Sequence, residues 1–182
     1  MEIEIRAKVD DLKKIEQRVI ELGAEFVKQK KQVDVYYGEI DLIKKLGYSF
    51  LIRVRSEGDK KYLTYKGAET KIDGVWEEYE FNIENDVTAK AMLSAMGLDK
   101  VIEVNKSRKE YKLENLTICL DDIADLGLFI EIESQDDDDI NKIKLNDFMK
   151  KLDITEDQII NKGYVTMLLS KNNSPYSKYI VN

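Results

Sequence analysis

Along "MEIEIRAKVD", Ile3, Ile5, Ala7 and Val9 alternate with Glu2, Glu4, Arg6 and Lys8, a period of two that predicts a half-buried strand with one charged face. The spacing then turns helical. In "DDLKKIEQRVIELG", Leu12, Ile15, Val19 and Leu22 share a face, with Asp10 placed to cap the start and Gly23 to stop it. "AEFVKQKKQVDVYYG" returns to strand character, and "IDLIKKLG" reads as a loop or a short turn of helix. Three strand-like runs follow, "YSFLIRVRS", "KKYLTYKG" and "VWEEYEFNI", separated by the turn sequences "EGD" and "AETKIDG". "DVTAKAMLSAMG" predicts a second helix, capped by Asp86 and ended by Gly97, before further strands in "KVIEVNKSRKEYKL", "LTICLDDI" and "LFIEIES".

The remainder reads as helical. "DDDDINKIKLNDFMKKL" places Ile140, Ile143 and Met149 near helical spacing, and its acidic run Asp136 to Asp139 suits the positive end of a helix dipole better than a metal site. "EDQIIN" and "YVTMLLSK" predict short helices, and the tail "NNSPYSKYIVN" is expected to be mobile. The class is α+β, with one domain over residues 1–171 and a tail over 172–182.

The charged stripe of the first strand recurs. Arg53 and Arg55 share a face opposite Ile52 and Val54; Thr64 and Lys66 oppose Leu63 and Tyr65; Glu78 and Glu80 oppose Tyr79, Phe81 and Ile83. Lys106 and Arg108 share a face, Asp121 opposes Leu116, Ile118 and Leu120, and Glu131 and Glu133 oppose Leu128, Ile130 and Ile132. Two arrangements fit: a one-sided sheet whose charges meet water, or a closed antiparallel β-barrel of about eight strands with helices packed outside. The amphipathic helices need apolar sheet surface to cover, and a sheet this long tends to curl, which favours closure. The charged stripes then face inward and line a tunnel.

Buried ions must be paired, hydrated or bound to a ligand. A polyanion carried by divalent metal satisfies acids and bases together, because carboxylates take Mg²⁺ or Mn²⁺ while Arg and Lys clamp phosphate oxygens. The interleaved stripes therefore point to a nucleotide or another triphosphate compound.

Composition narrows the chemistry. The chain of 182 residues is 43% hydrophobic and 36% charged, with one proline, which describes a globular protein. No apolar run reaches a membrane span and the first residues do not form a signal peptide, so no membrane partner is expected and the expected location is cytoplasmic. A net charge of −7 argues against a nucleic-acid duplex as partner. Cys119 is the single cysteine, which excludes an intramolecular disulfide and a cysteine-based zinc site. The absence of histidine excludes Ser-His and Cys-His nucleophiles, leaving carboxylates, Lys, Arg, Tyr or a metal-bound water.

Taken in order, these segments resemble the CYTH or triphosphate tunnel metalloenzyme superfamily, which includes class IV adenylate cyclases, thiamine triphosphatases and inorganic triphosphatases. The family opens on Glu-x-Glu-x-Lys; here "EIEIR" keeps Glu2 and Glu4 and carries Arg6 in the lysine position. "DVYY", with Asp34 and Tyr36, "LIRVR", "YKG", "EEYEF", "KSRKEY", "LDDIADLG", "FIEIE" and "GYVTMLL" follow in the family's order. The resemblance implies metal-side roles for Glu2, Glu4, Asp121, Glu131 and Glu133. It implies phosphate-side roles for Arg6, Lys8, Arg53, Arg55, Lys66, Lys106 and Arg108.

Tyr36 is either a core aromatic or a partner of Lys66 in orienting or deprotonating a nucleophile, as in the thiamine triphosphatase branch. Glu78 and Glu80 are expected to support basic neighbours, and Tyr164 and Trp76 to be packing residues. The compact chain looks most like the class IV cyclase-like members, which convert ATP to cyclic AMP and pyrophosphate. A triphosphate hydrolase and a non-catalytic triphosphate or polyphosphate-binding module stand as alternatives, and the oligomeric state is left open, a homodimer included.

Overall fold

The computed structural model describes residues 3–67, 77–134 and 139–180, without the side chains of residues 3 and 139–144. In chain order the elements are β1 (Ile3–Val9), α1 (Leu12–Glu21), β2 (Glu25–Gly38), α2 (Ile40–Leu46), β3 (Phe50–Glu57), β4 (Lys60–Gly67) and β5 (Glu77–Asn82). They continue with α3 (Asp86–Ala95), β6 (Asp99–Leu113), β7 (Leu116–Ile123), β8 (Gly127–Ser134), α4 (Asp139–Lys151) and α5 (Tyr164–Lys171). One-turn 3-10 segments lie at Glu156–Gln158 and Pro175–Lys178. Glu2, Trp76 and Asp136 to Asp138 fall outside the described residues.

The strands make one antiparallel α+β sheet in the order β1-β8-β7-β6-β2-β3-β4-β5. The eight antiparallel strands expected of the barrel are present, and among the described residues the ladder ends at β1 and β5 without hydrogen-bonded pairing between them. The outer edge of β1 is occupied instead by a following segment. Ile160 N–H donates to Arg6 O at 2.8 Å, Gln158 Nε2 donates to Lys8 O at 3.3 Å, and Ala7 bridges Ile159. These contacts satisfy edge groups that would otherwise seek a strand.

The chain divides into two compact units, residues 1–30 with 106–161, and residues 31–105 with 162–182. In the first, the odd positions of β1 and the even positions of β7 and β8 turn Ala7, Val9, Ile118, Leu120, Ile130 and Ile132 into one core with Ile15 and Val19 of α1 and Leu145, Phe148 and Met149 of α4. Each of these side chains except that of Ala7 contributes about 1.5–3 kcal/mol by leaving water. The cap of α1 is Asp11 and not Asp10: it precedes the first helical residue in extended backbone, and its carboxylate accepts from Lys13 N at 2.8 Å and Lys14 N at 3.2 Å.

In the second unit, α3 packs on β3 and β4. Asn85 caps that helix by accepting from Thr88 N at 3.0 Å, so Asp86 lies inside it and pairs with Lys90 at 2.7 Å. The tail departs from its expected mobility. Tyr176 and Ile180 are buried, Tyr176 Oη donates to Gly38 O at 3.1 Å, and Ser49 Oγ donates to Tyr179 O. No helix among the described residues is long and apolar enough to cross a membrane.

Candidate active site

In the first unit, antiparallel register sets Glu4 opposite Glu133 and Arg6 opposite Glu131 across β1 and β8, and Asp121 opposite Arg108 across β7 and β6. Residues directly opposite share a sheet face, so these side chains converge on the face away from the helical core. The middle of that face is not a water face, although Glu4 on β1 is exposed. Arg6 is 8%, Asp121 0% and Glu131 4% exposed.

Glu131 is held from both sides. Arg6 Nε donates to its Oε2 at 2.8 Å, and Arg108 Nη2 donates to its Oε1 at 2.8 Å. Arg6 Nη2 also donates to Glu4 Oε1 at 2.9 Å. Arg108 grips Asp121 with two parallel bonds of 2.7 and 2.6 Å, the geometry in which a guanidinium best satisfies a buried carboxylate. Burial alone would raise the Glu131 pKa, but the charges of Arg108, Arg6 and Lys106 outweigh it and hold the carboxyl well below the usual range.

Glu133 moves the other way. Burial, reinforced by the charge of Glu131 beside it, pushes its carboxyl up to about 8. Among the described residues it takes no ion pair of its own. Glu4, Glu131 and Glu133 nevertheless bring one carboxylate oxygen each within 4.8 Å of one another. Three hard oxygen donors, one of them short of positive charge, fit Mg²⁺ or Mn²⁺. The arginines on Glu131 leave lone pairs free for such an ion, since a carboxylate has about four acceptor positions.

The second unit repeats the device with more cation than buried acid. Arg53 is opposite Tyr36 on β2 and Thr64 on β4, and Thr64 is opposite Glu80 on β5; one row along, Lys66 is opposite Leu51 and Glu78. Arg53 Nη2 donates to Thr64 Oγ1 at 3.1 Å, Glu80 Oε2 at 2.8 Å and Glu78 Oε1 at 3.2 Å, and Lys66 Nζ donates to Glu78 Oε2 at 2.6 Å. Arg55 makes a separate two-bond pair with Asp34 at 2.7 and 2.6 Å.

The residues expected to separate into a metal side and a phosphate side are thus interleaved. Arg6 and Arg108 spend their guanidinium groups on carboxylates, and both oxygens of Asp121 are taken by Arg108. Lys8 is exposed on the same strand as Arg6, and Lys106 is half-buried, its charge acting on Glu131. Tyr36 and Lys66 occupy different rows of the sheet. Burial and the charge of Asp34 push the Tyr36 phenol up to about 12, so it stays protonated and can donate a hydrogen bond but not act as a base near neutral pH. The buried partner of Arg55, Asp34, stood in the "DVYY" segment without a role. Its signal was a carboxylate on the same strand parity as Tyr36.

An antiparallel sheet with helices against its apolar face and ion-paired acids and bases on the other defines an α+β protein. The CYTH domain matches residues 1–164, and the chain belongs to that family. It is 34% identical over 172 residues to a protein of Methanocaldococcus jannaschii named provisionally as an adenylate cyclase, covering 92% of this chain and 98% of that one. A solved structure of a Pyrococcus horikoshii protein superposes with a TM-score of 0.78 at 28% identity, over 91% of this chain and 98% of that chain. A Hippeastrum protein, described as an adenylyl cyclase candidate with a dominant triphosphatase activity, shares the fold at a TM-score of 0.67 and 18% identity, over 95% and 96% of the two chains.

Proposed function

We propose that this protein is a divalent-metal-dependent enzyme acting on the triphosphate group of a nucleotide, with ATP to cyclic AMP and pyrophosphate as its reaction. The observation that carries this reading is the Glu4–Glu131–Glu133 cluster, three carboxylate oxygens within 4.8 Å, with Glu131 buried, Glu133 half-buried and Glu4 exposed, on a face that also holds Arg6 and Arg108. The name carried by the M. jannaschii relative supports the cyclase direction.

A bound Mg²⁺ or Mn²⁺ would supply charge neutralisation and Lewis acidity at the phosphoryl oxygens. Arg6 and Arg108 fix both oxygens of Glu131, so the cluster is preorganised and costs little to assemble. Lys8 and Lys106 in the first unit, and Arg53, Arg55 and Lys66 in the second, are the proposed phosphate ligands of their own units, and charge developing on phosphate oxygens is what such cations stabilise in phosphoryl transfer. Tyr36 contributes a neutral hydroxyl that orients and does not deprotonate. In the cyclase reaction the ribose 3′-oxygen bonds to the α-phosphorus, its proton passes to solvent, and the bond to the bridging oxygen breaks to release pyrophosphate.

The test is to incubate the protein with ATP, thiamine triphosphate and tripolyphosphate, each with Mg²⁺ or Mn²⁺, and resolve the products. Cyclic AMP with pyrophosphate supports the proposal. Orthophosphate release makes the protein a triphosphate hydrolase using the same clamps, and tight binding without turnover makes it a binding module.

A further inference from the structure

Two clusters of acid and base differ in one respect that bears on ligand choice. In the first unit, Glu131 is 5% exposed at its side chain and locked between two arginines. In the second, the acids that neutralise Arg53 and Lys66 are 42% exposed at Glu78 and 38% at Glu80, although Arg53 itself is only 8% exposed. Both acids sit on β5, the end strand of the ladder, where no residue is buried. A carboxylate in that position can swing into water at little cost, whereas the arginine beneath it cannot follow and needs another anion.

Glu78 is the more replaceable of the two. Glu80 Oε2 accepts from both Arg53 and the fully buried Thr64 hydroxyl, at 2.8 Å each. Glu78 bridges Arg53 at 3.2 Å and Lys66 at 2.6 Å, one oxygen on each cation, which is how two oxygens of a phosphate group would span them. We propose that Glu78 is a specificity residue that occupies the Arg53–Lys66 anion site in the free protein and yields it only to a polyanion. This rests on the reading of Arg53 and Lys66 as phosphate ligands and adds to it a selection by charge. Two cations and two carboxylates balance, so a monoanion that displaces Glu78 restores only the charge already there. A ligand with several phosphate charges gains over it.

The experiment is calorimetric titration of inorganic tripolyphosphate, and separately of inorganic phosphate, into wild type, Glu78→Gln and Glu78→Asp at fixed Mg²⁺, with circular dichroism melting to verify folding. Glu78→Gln should bind tripolyphosphate about tenfold more tightly and gain measurable phosphate binding, by removing the competing charge while keeping the side-chain shape. Glu78→Asp, which keeps the charge, should stay close to wild type and so separates charge from packing. Unchanged or weaker tripolyphosphate binding by a folded Glu78→Gln variant overturns the competition and makes Glu78 a scaffold or a ligand-side group. Absence of binding by all three proteins overturns the reading of the site together with this inference.

Discussion

Arg6 and Glu131 lie directly opposite each other on β1 and β8, and the guanidinium closes on Glu131 Oε2 through Nε at 2.8 Å and Nη2 at 2.6 Å. The position that departs from the family's opening motif is therefore a holder of carboxylates, linking Glu131 to Glu4 at 2.9 Å. Arg6→Lys keeps the charge between those acids and should change activity by about tenfold or less, equivalent to ~1.4 kcal/mol. Arg6→Ala takes one of the two guanidinium groups from the buried Glu131, which keeps Arg108, and should cost about 1.5–3 kcal/mol, lowering the melting temperature by about 3–12 °C. Equal melting temperatures for wild type and the alanine variant would show that the pair does not support the fold.

Stability should depend on pH through the same acids. The Glu133 carboxyl lies at about 8 in the folded chain, above its ordinary 4.5, so the folded state keeps a proton that the unfolded chain releases. Its contribution is full below pH 4.5 and is lost as pH rises toward 8. Glu131, held below the ordinary value, contributes above pH 4.5 and loses that contribution as pH falls. With chelator present, the melting temperature should fall between about pH 5 and pH 8. Added Mg²⁺ or Mn²⁺ should reverse the upper part of that fall by replacing the proton. A melting temperature that rises through this window without metal would mean that Glu133 is ionised in the folded protein.

Tyr36→Phe removes a buried hydroxyl without changing the ring. Because the phenol titrates at about 12, the variant should lose less than about tenfold in activity and keep the wild-type pH profile. A loss above about a hundredfold with a displaced basic limb would restore Tyr36 as a proton acceptor.

The alternation in "MEIEIRAKVD" was enough to place Glu4 and Arg6 on one face, because a strand's period of two leaves no other choice. Whether that face met water depended on contacts far along the chain, above all Arg108 and Glu131, which local pattern does not contain. Pairings were hidden for the same reason: Asp34 with Arg55 and Asp121 with Arg108 follow from strand register, not from spacing. Adjacent cap candidates, Asp10 beside Asp11 and Asn85 beside Asp86, look alike in sequence and are separated by which residue holds extended backbone before the helix. The tail's Pro, Asn and Ser suggested mobility, yet Tyr176 and Ile180 are ordered by burial against distant residues such as Gly38.

The proposed reaction depends on Glu4, Glu131 and Glu133 holding a divalent ion that engages a triphosphate. Free Mn²⁺ measured by electron paramagnetic resonance during titration of the folded protein tests it directly, with and without tripolyphosphate, for wild type and for Glu4→Gln and Glu133→Gln. Wild type should take up Mn²⁺ saturably, more tightly with tripolyphosphate than without it, and uptake should be weakened about tenfold or more in each variant. Equal Mn²⁺ uptake by wild type and both variants, or none by any of them, would contradict it.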